Sequence, residues 1–245
     1  MSEMVLISKA KTIELTKLKQ KKYRQQTQRV VLEGRRLLQQ LAAYGVLPLE
    51  LYSADALELE LPETVPVYQI RSSDLKRICD SDSPAGIAAL YSTPTERRQS
   101  FTSALYLDGI SDPGNMGTIF RLAAAFEIRQ IFLSENCCEI SNSKVIRSSL
   151  GAVYHIAHQT LSHEQLLSLP AELVYLDMDA SHSLREHRPP PNPTIYILGS
   201  EAHGVSRELK QGSKQNLRIE MNRDMESLNV AISAGILCHH LYTEH

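Results

Sequence analysis

Residues 104–133, ALYLDGISDPGNMGTIFRLAAAFEIRQIFL, decide the fold. Positions 104–107 form an apolar run of strand length. Two glycines and a proline at 109–114 then force a tight turn, 117–126 reads as a helix, and 130–133 is a second short apolar run. A strand, a turn, a helix and another strand in so short a stretch is the repeating unit of a parallel sheet. Downstream the alternation continues. A short helix is predicted at 145–150, a strand at 152–157 and a helix at 163–169. Strands follow at 173–176, 194–198 and 217–221, and an apolar, Ala-rich helix closes the chain at 228–240. The fold class is therefore α/β, with an open, mostly parallel sheet covered on both faces.

Upstream lies a smaller α/β pattern. An amphipathic helix is predicted at 13–22, a strand at 29–33 and, after the break at Gly34, a helix to about 44. Strands at 47–52 and 65–70, a helix at 73–79 and a strand at 87–91 complete it. Residues 92–100, STPTERRQS, are polar, carry a proline and lack apolar periodicity. The organisation expected is a domain over 1–91, a linker over 92–100 and a second domain over 101–245.

Composition is that of a soluble globular protein, 42% hydrophobic and 22% charged. No apolar run approaches membrane-spanning length, and residues 1–10 lack a secretion signal, so a cytoplasmic location is expected. Cys79, Cys137, Cys138 and Cys238 form no C-x-x-C pair and read as reduced thiols, with no metal expected. The net charge of −2 hides an asymmetry: residues 1–36 carry +7 and the remaining 209 residues −9. Such a split suits a polyanion met at one end of the molecule or a solvated basic helix face, and charge alone does not choose.

In an open parallel sheet, ligands sit in the loops beyond the carboxyl ends of strands. Three such loops carry unusual residues. The first is Asp108-Gly109-Ile110-Ser111-Asp112-Pro113-Gly114-Asn115-Met116-Gly117, leading to Arg121. On spacing alone Asn115 reads as the cap of a helix starting near Met116, and Arg121 as a surface cation. It is neither the G-x-G-x-x-G dinucleotide loop nor a P-loop. The second is Gly199-Ser200-Glu201-Ala202-His203-Gly204-Val205-Ser206, where Gly199 would let a ligand approach the backbone. The third runs from Ile219 and Met221 to Ser227-Leu228-Asn229-Val230, where Ser227 or Asn229 begins a helix, Ser227 reads as a simple cap, and the Asn229 amide needs a partner.

Taken together, Asn115-x-Gly-x-x-x-Arg121, Leu198-Gly199-Ser200-Glu201-x-x-Gly204-Val205-Ser206 and Met221 followed by Ser227-Leu228-Asn229-Val230 resemble the three motifs of the SpoU (TrmH) RNA ribose methyltransferases, in order. Lys22-Tyr23-Arg24, Val31-Leu32-Glu33-Gly34 and Ala85-Gly86-Ile87-Ala88-Ala89-Leu90 resemble that family's substrate-binding domain. Three positions depart from the pattern. Ser200 stands where many members have Asn, Glu220 where many have Pro, and Glu127 where Gly is frequent.

The resemblance implies a C-terminal trefoil knot, a small N-terminal RNA-binding domain and a homodimer. It implies S-adenosylmethionine as methyl donor, held by Leu198, Gly199, Ile219, Met221, Leu228 and Asn229. Arg121, Asn115, Glu201 and Asn229 would be catalytic, with Arg121 binding phosphate or stabilising charge on the ribose 2′-oxygen and the others holding it in register. Lys22, Arg24, Arg35, Lys144 and Arg147 would contact RNA. The separate N-terminal domain points to ribosomal RNA, with tRNA or a non-catalytic RNA-binding role as alternatives. His155 and His158, on a predicted strand, would face opposite ways and not share a metal.

Overall fold

The computed structural model describes residues 5–54, 62, 64–81, 83–222, 224 and 227–244. Arg223, Met225 and Glu226 of the third loop lie outside the described residues. The first half of the chain runs β1 (Val5–Leu6), α1 (Lys9–Lys17), α2 (Lys21–Thr27), β2 (Arg29–Glu33), α3 (Arg35–Ala43), β3 (Glu50–Ser53), β4 (Val67–Gln69), α4 (Ser72–Ile78), β5 (Ile87–Ser92). There follow β6 (Ser103–Asp108), α5 (Pro113–Ala125), β7 (Gln130–Leu133), α6 (Ser143–Ser148), α7 (Ala152–His155), β8 (Ala157–Thr160) and α8 (His163–Leu167). The chain ends with β9 (Glu172–Leu176), β10 (His182–Ser183), β11 (Thr194–Gly199), α9 (Arg207–Gly212), β12 (Gln215–Arg218) and α10 (Val230–Thr243).

These elements form two units, Met1–Pro94 with Glu139–Tyr154, and Thr95–Cys138 with His155–His245. In the first, the sheet order is β1-β4-β3-β5-β2, with β5 antiparallel to both neighbours. Leu15, Leu18, Val31, Tyr52, Leu75 and Leu90 are buried in its core. The helix predicted over 13–22 is two helices, because the backbone turns at Leu18, whose N–H donates to Leu15 O. Carbonyls freed at this turn are taken by Arg24, whose Nη1 donates to Leu18 O (3.0 Å) and Lys19 O (2.7 Å).

The second unit holds a seven-stranded sheet ordered β10-β12-β9-β11-β6-β7-β8, parallel throughout. Its central strands β6 and β11 are buried along almost their whole length, which is why their sequences are continuous apolar runs without alternation. From β6 the chain proceeds to β7 and β8 on one side and then builds β9, β11 and β12 on the other. The strand order thus reverses between β6 and β11, the position where open α/β sheets leave a crevice for a ligand.

Three local readings are corrected. Residues 152–157 are not a strand: Ala152–His155 is one helical turn and the strand starts at Ala157. In so short an apolar run the two periods cannot be told apart. The helix after β6 is capped by Asp112, which accepts from Asn115 N (2.8 Å) with Pro113 in the first turn, so Asn115 is not the cap. The closing helix is capped not by Ser227 but by Asn229, which accepts from Ala231 N and Ile232 N.

Candidate active site

Pro113 and the Asp112 cap start α5 one turn earlier than Asn115, leaving the Asn115 amide free to point across the crevice. Its Nδ2 donates to Glu201 Oε1 of the loop after β11. Its Oδ1 accepts from Asn229 Nδ2 at 3.1 Å. One amide therefore joins the three loops read from the sequence, using its donor for one and its acceptor for another. Asn229 has its own oxygen committed to the first turn of α10, which fixes its orientation.

Arg121 lies six residues beyond Asn115, about 9 Å further along the helix axis. It is exposed, while its neighbours Ile119 and Phe120 are buried. It is not part of the hydrogen-bonded trio of Asn115, Glu201 and Asn229. Its guanidinium is thus a solvent-facing cation available to an anion.

Beneath the trio, at the carboxyl ends of β9, β11 and β12, is a cleft of about 320 Å³. Leu198, Gly199, Ile219, Met221 and Leu228 all line it, as does Glu201. Asn229 does not line it and meets the site through Asn115 instead. Lining residues that the sequence reading did not assign to the donor include Asp177 and Asp179, from the turn after β9, and Lys210 from α9. Lys210 Nζ bonds Asp177 Oδ2 at 2.5 Å. Burial alone would raise the Asp177 carboxyl, but the Lys210 hydrogen bond and charge outweigh it and hold the group below its ordinary value. The polar end of an apolar strand, Leu173-Val174-Tyr175-Leu176-Asp177, was the available signal for Asp177.

The second loop is tightly folded. A Cβ on Gly199 would sit 2.0 Å from Gly204 C and 2.2 Å from Val205 N, so no other residue fits there without moving the backbone. Gly204 turns the chain at φ +64°, and its N–H donates to Ser200 O (2.8 Å). Ser200, where many members of the resembled family have Asn, does a turn residue's work: its Oγ accepts from His203 N at 3.3 Å. Glu220 has a partner 37 positions away, accepting from Ser183 Oγ.

The five basic residues expected to meet RNA all fall in the first unit. Lys22, Arg35 and Lys144 are exposed. Arg24 is not: its side chain is 7% exposed, and its Nε and Nη2 donate to Glu139 (3.3 and 2.5 Å) while Nη1 serves the Leu18 and Lys19 carbonyls. The expectation of an RNA contact at Arg24 is corrected, since its donors are spent inside the unit. Arg147 is half-buried, 3.2 Å from Glu33 and 3.7 Å from Asp80. His158 is buried against the Phe120 ring, and burial pushes its imidazole below the ordinary value. Among the described residues no helix is long and apolar enough to cross a membrane.

Comparison with known proteins agrees with this geometry. Residues 102–239 match the SpoU rRNA methylase family, and residues 9–89 match the MRM3-like substrate binding domain. The chain is 27% identical to the 23S rRNA (guanosine(2553)-2′-O)-methyltransferase RlmP of Bacillus subtilis, over 92% of this chain and 93% of that one. It is also 27% identical to mitochondrial rRNA methyltransferase 3A of Danio rerio, over 88% of this chain and 64% of that one. A solved structure of a TrmH-family protein from Porphyromonas gingivalis superposes with a TM-score of 0.85 at 29% identity, covering 97% of this chain and 98% of its own. With its motifs gathered at the switch point of a parallel sheet and more than half its length matched, the chain belongs to the SpoU rRNA methylase family and is an RNA methyltransferase.

Proposed function

We propose that the protein transfers a methyl group from S-adenosylmethionine to a ribose 2′-hydroxyl of ribosomal RNA. The observation that carries this reading is that all three motif loops meet through one amide, Asn115, above a single cleft. The cleft suits the donor in size and chemistry. Its volume is within the range of small-ligand pockets. Leu198, Ile219, Met221 and Leu228 offer apolar walls for an adenine and a thioether chain, and the carboxylates of Asp177, Asp179 and Glu201 suit a molecule carrying cationic groups. When bound there, S-adenosylmethionine supplies an activated methyl on a sulfonium.

The chain's own residues position the acceptor. Asn115, Glu201 and Asn229 hold the edge of the cleft in register. Arg121, a cationic guanidinium, binds an RNA phosphate or stabilises charge growing on the 2′-oxygen as its proton passes to solvent and S-adenosylhomocysteine is left behind. The exposed cations Lys22, Arg35 and Lys144 of the first unit hold the RNA backbone. Requiring a 2′-hydroxyl selects RNA over DNA. The relatives named for rRNA methylation, together with the match to a substrate-binding domain, support ribosomal RNA over tRNA. The knot, the homodimer and a cytoplasmic location go with this reading. Ile232, Ile236 and Tyr242 support the dimer, since they leave α10 an exposed apolar face.

The test is incubation with methyl-labelled S-adenosylmethionine and total RNA from cells lacking the protein, followed by separation of rRNA from tRNA. Label is expected in rRNA as 2′-O-methylribose. Arg121→Ala should lower the rate by roughly 100-fold or more, with donor affinity within two-fold of the unchanged protein. Label confined to tRNA would transfer the reading to tRNA, and an unaffected rate in Arg121→Ala would remove Arg121 from the chemistry.

A further inference from the structure

The 199–206 loop supplies Gly199 and Glu201 to the cleft, yet its far end has no cap of its own. Ser206 begins α9, the position where a serine hydroxyl ordinarily accepts a backbone N–H of the first turn. Here it makes no such bond, and its Oγ is buried without a partner. Instead the Ser206 N–H donates to Asp108 Oδ2 at 2.8 Å, across 98 residues of sequence. Asp108 is also the register partner of Gly199, where β11 pairs with β6. One residue thus meets both ends of the loop, Gly199 through the sheet and Ser206 through its carboxylate.

Asp108 is itself held. It is 7% exposed, and its other oxygen, Oδ1, lies 3.1 Å from His163 Nε2. His163 Nδ1 faces Glu208 Oε2 at 3.1 Å, and its ring packs edge-on to Tyr106 of β6. A buried carboxylate with a partner on each oxygen is costly to disturb, because either partner removed leaves an uncompensated charge or donor.

We propose that Asp108 is a positioning residue for donor binding: it clamps both ends of the 199–206 loop and so sets where Gly199 and Glu201 stand. This rests on the assignment of the cleft to S-adenosylmethionine. Releasing the Ser206 end frees the loop to unwind from Gly204 onward. Glu201 then loses its register with Asn115, and the cleft loses a wall.

The experiment measures binding of S-adenosylmethionine by calorimetry, and amide hydrogen exchange over 199–206, in the full chain. Asp108→Ala is expected to weaken binding ten-fold or more and to speed exchange in the loop. Asp108→Asn should stay within three-fold. Its amide oxygen can still accept from Ser206, and its NH₂ can donate to His163 in the tautomer that carries the proton on Nδ1 towards Glu208. A generally structural role for the charge would not be rescued in this way. Ser206→Pro deletes the single donor and keeps the carboxylate, and Ser206 at φ −59° already has a proline's backbone. It should weaken binding as Asp108→Ala does, and it decides the matter if Asp108→Ala does not fold. Unchanged affinity in Ser206→Pro, or equal losses in Asp108→Asn and Asp108→Ala, would overturn the proposal while leaving the cleft assignment intact. Absence of binding by the unchanged protein would remove both.

Discussion

The two units gave up their polar residues to sequence reading in opposite ways. In the second, Glu201 and Asn229, expected at the site from motif resemblance, both hydrogen-bond Asn115, though they lie 86 and 114 positions from it in the chain. In the first, the basic residues expected to meet RNA divide. Lys22 and Arg35 are exposed, whereas Arg24, two positions from Lys22, is buried in an ion pair with Glu139. A whole motif with its glycines and prolines records a backbone path, and a path fixes where side chains go. Charge records only that water or a counter-ion must be met somewhere. A buried arginine and a phosphate-binding one look alike in a string of letters.

That distinction breaks most readily at Arg24. Arg24→Ala would strand Glu139 and reopen the Leu18 and Lys19 carbonyls, so a loss of about 3–5 kcal/mol in the first unit is expected. The loss should appear in a denaturant titration, and RNA binding should fall only because that unit unfolds. Lys22→Ala should leave stability unchanged, weaken RNA binding a few-fold and reduce the salt dependence by about one ion. If Arg24→Ala instead remained fully stable and behaved like Lys22→Ala in RNA binding, the division by burial would be wrong.

A smaller difference follows from histidine. All nine histidines lie at or beyond His155, and so in the second unit. His158 and His187 are both buried there. Desolvation lowers each below the ordinary value of 6.5, and His240 and Arg188 add to the effect at His187. Below that value an unfolded chain binds protons that the folded unit refuses, so stability rises with pH across this range. It is fully present above about 6.5 and drains away as pH falls towards the depressed folded values. Thermal unfolding followed between pH 7.5 and 5.5 should therefore lower the second unit's transition and leave the first unit's in place. His158→Gln should flatten the slope. A first-unit transition that moved equally would mean that the two units do not melt separately.

Legibility in the sequence tracked how local the determinant was. The β6–α5–β7 passage could be read because its turn, cap and apolar periods all lie within one stretch. The cap at Asp112 was misassigned to Asn115 because both residue types can cap and only the fold shows which oxygen reaches the free N–H groups. Asp108 and Ser206 could not be matched from the string, because their bond depends on β11 pairing with β6. The Glu139–Tyr154 segment interrupts the catalytic half of the chain yet packs with the first unit. No change of composition marks its edges. Its ties, Glu139 to Arg24 and Arg147 to Glu33, are long-range and ionic.

Glu127 offers the finest test of what spacing encodes, because here position and residue disagree. The helix α5 ends at Ala125 with Phe126 as its C-cap, and the next residue, Glu127, sits at φ +58° in the left-handed region. Ile128 N–H then returns to Ala123 O at 2.9 Å, the bond of a Schellman ending, with Ile128 buried. This position calls for glycine, the residue frequent in the resembled family, since any Cβ there crowds the neighbouring carbonyl. Glu127→Gly should relieve that strain, and the greater freedom of glycine in the unfolded chain should offset part of the gain. A net stabilisation of about 0.5–1 kcal/mol is expected, seen as a rise of roughly 1–4 °C in the melting temperature of the second unit. Donor affinity should not change, because Glu127 is exposed and does not line the cleft. A destabilised Glu127→Gly would mean that the carboxylate makes a compensating contact in solution, and that the helix end is set by the side chain and not by the backbone path.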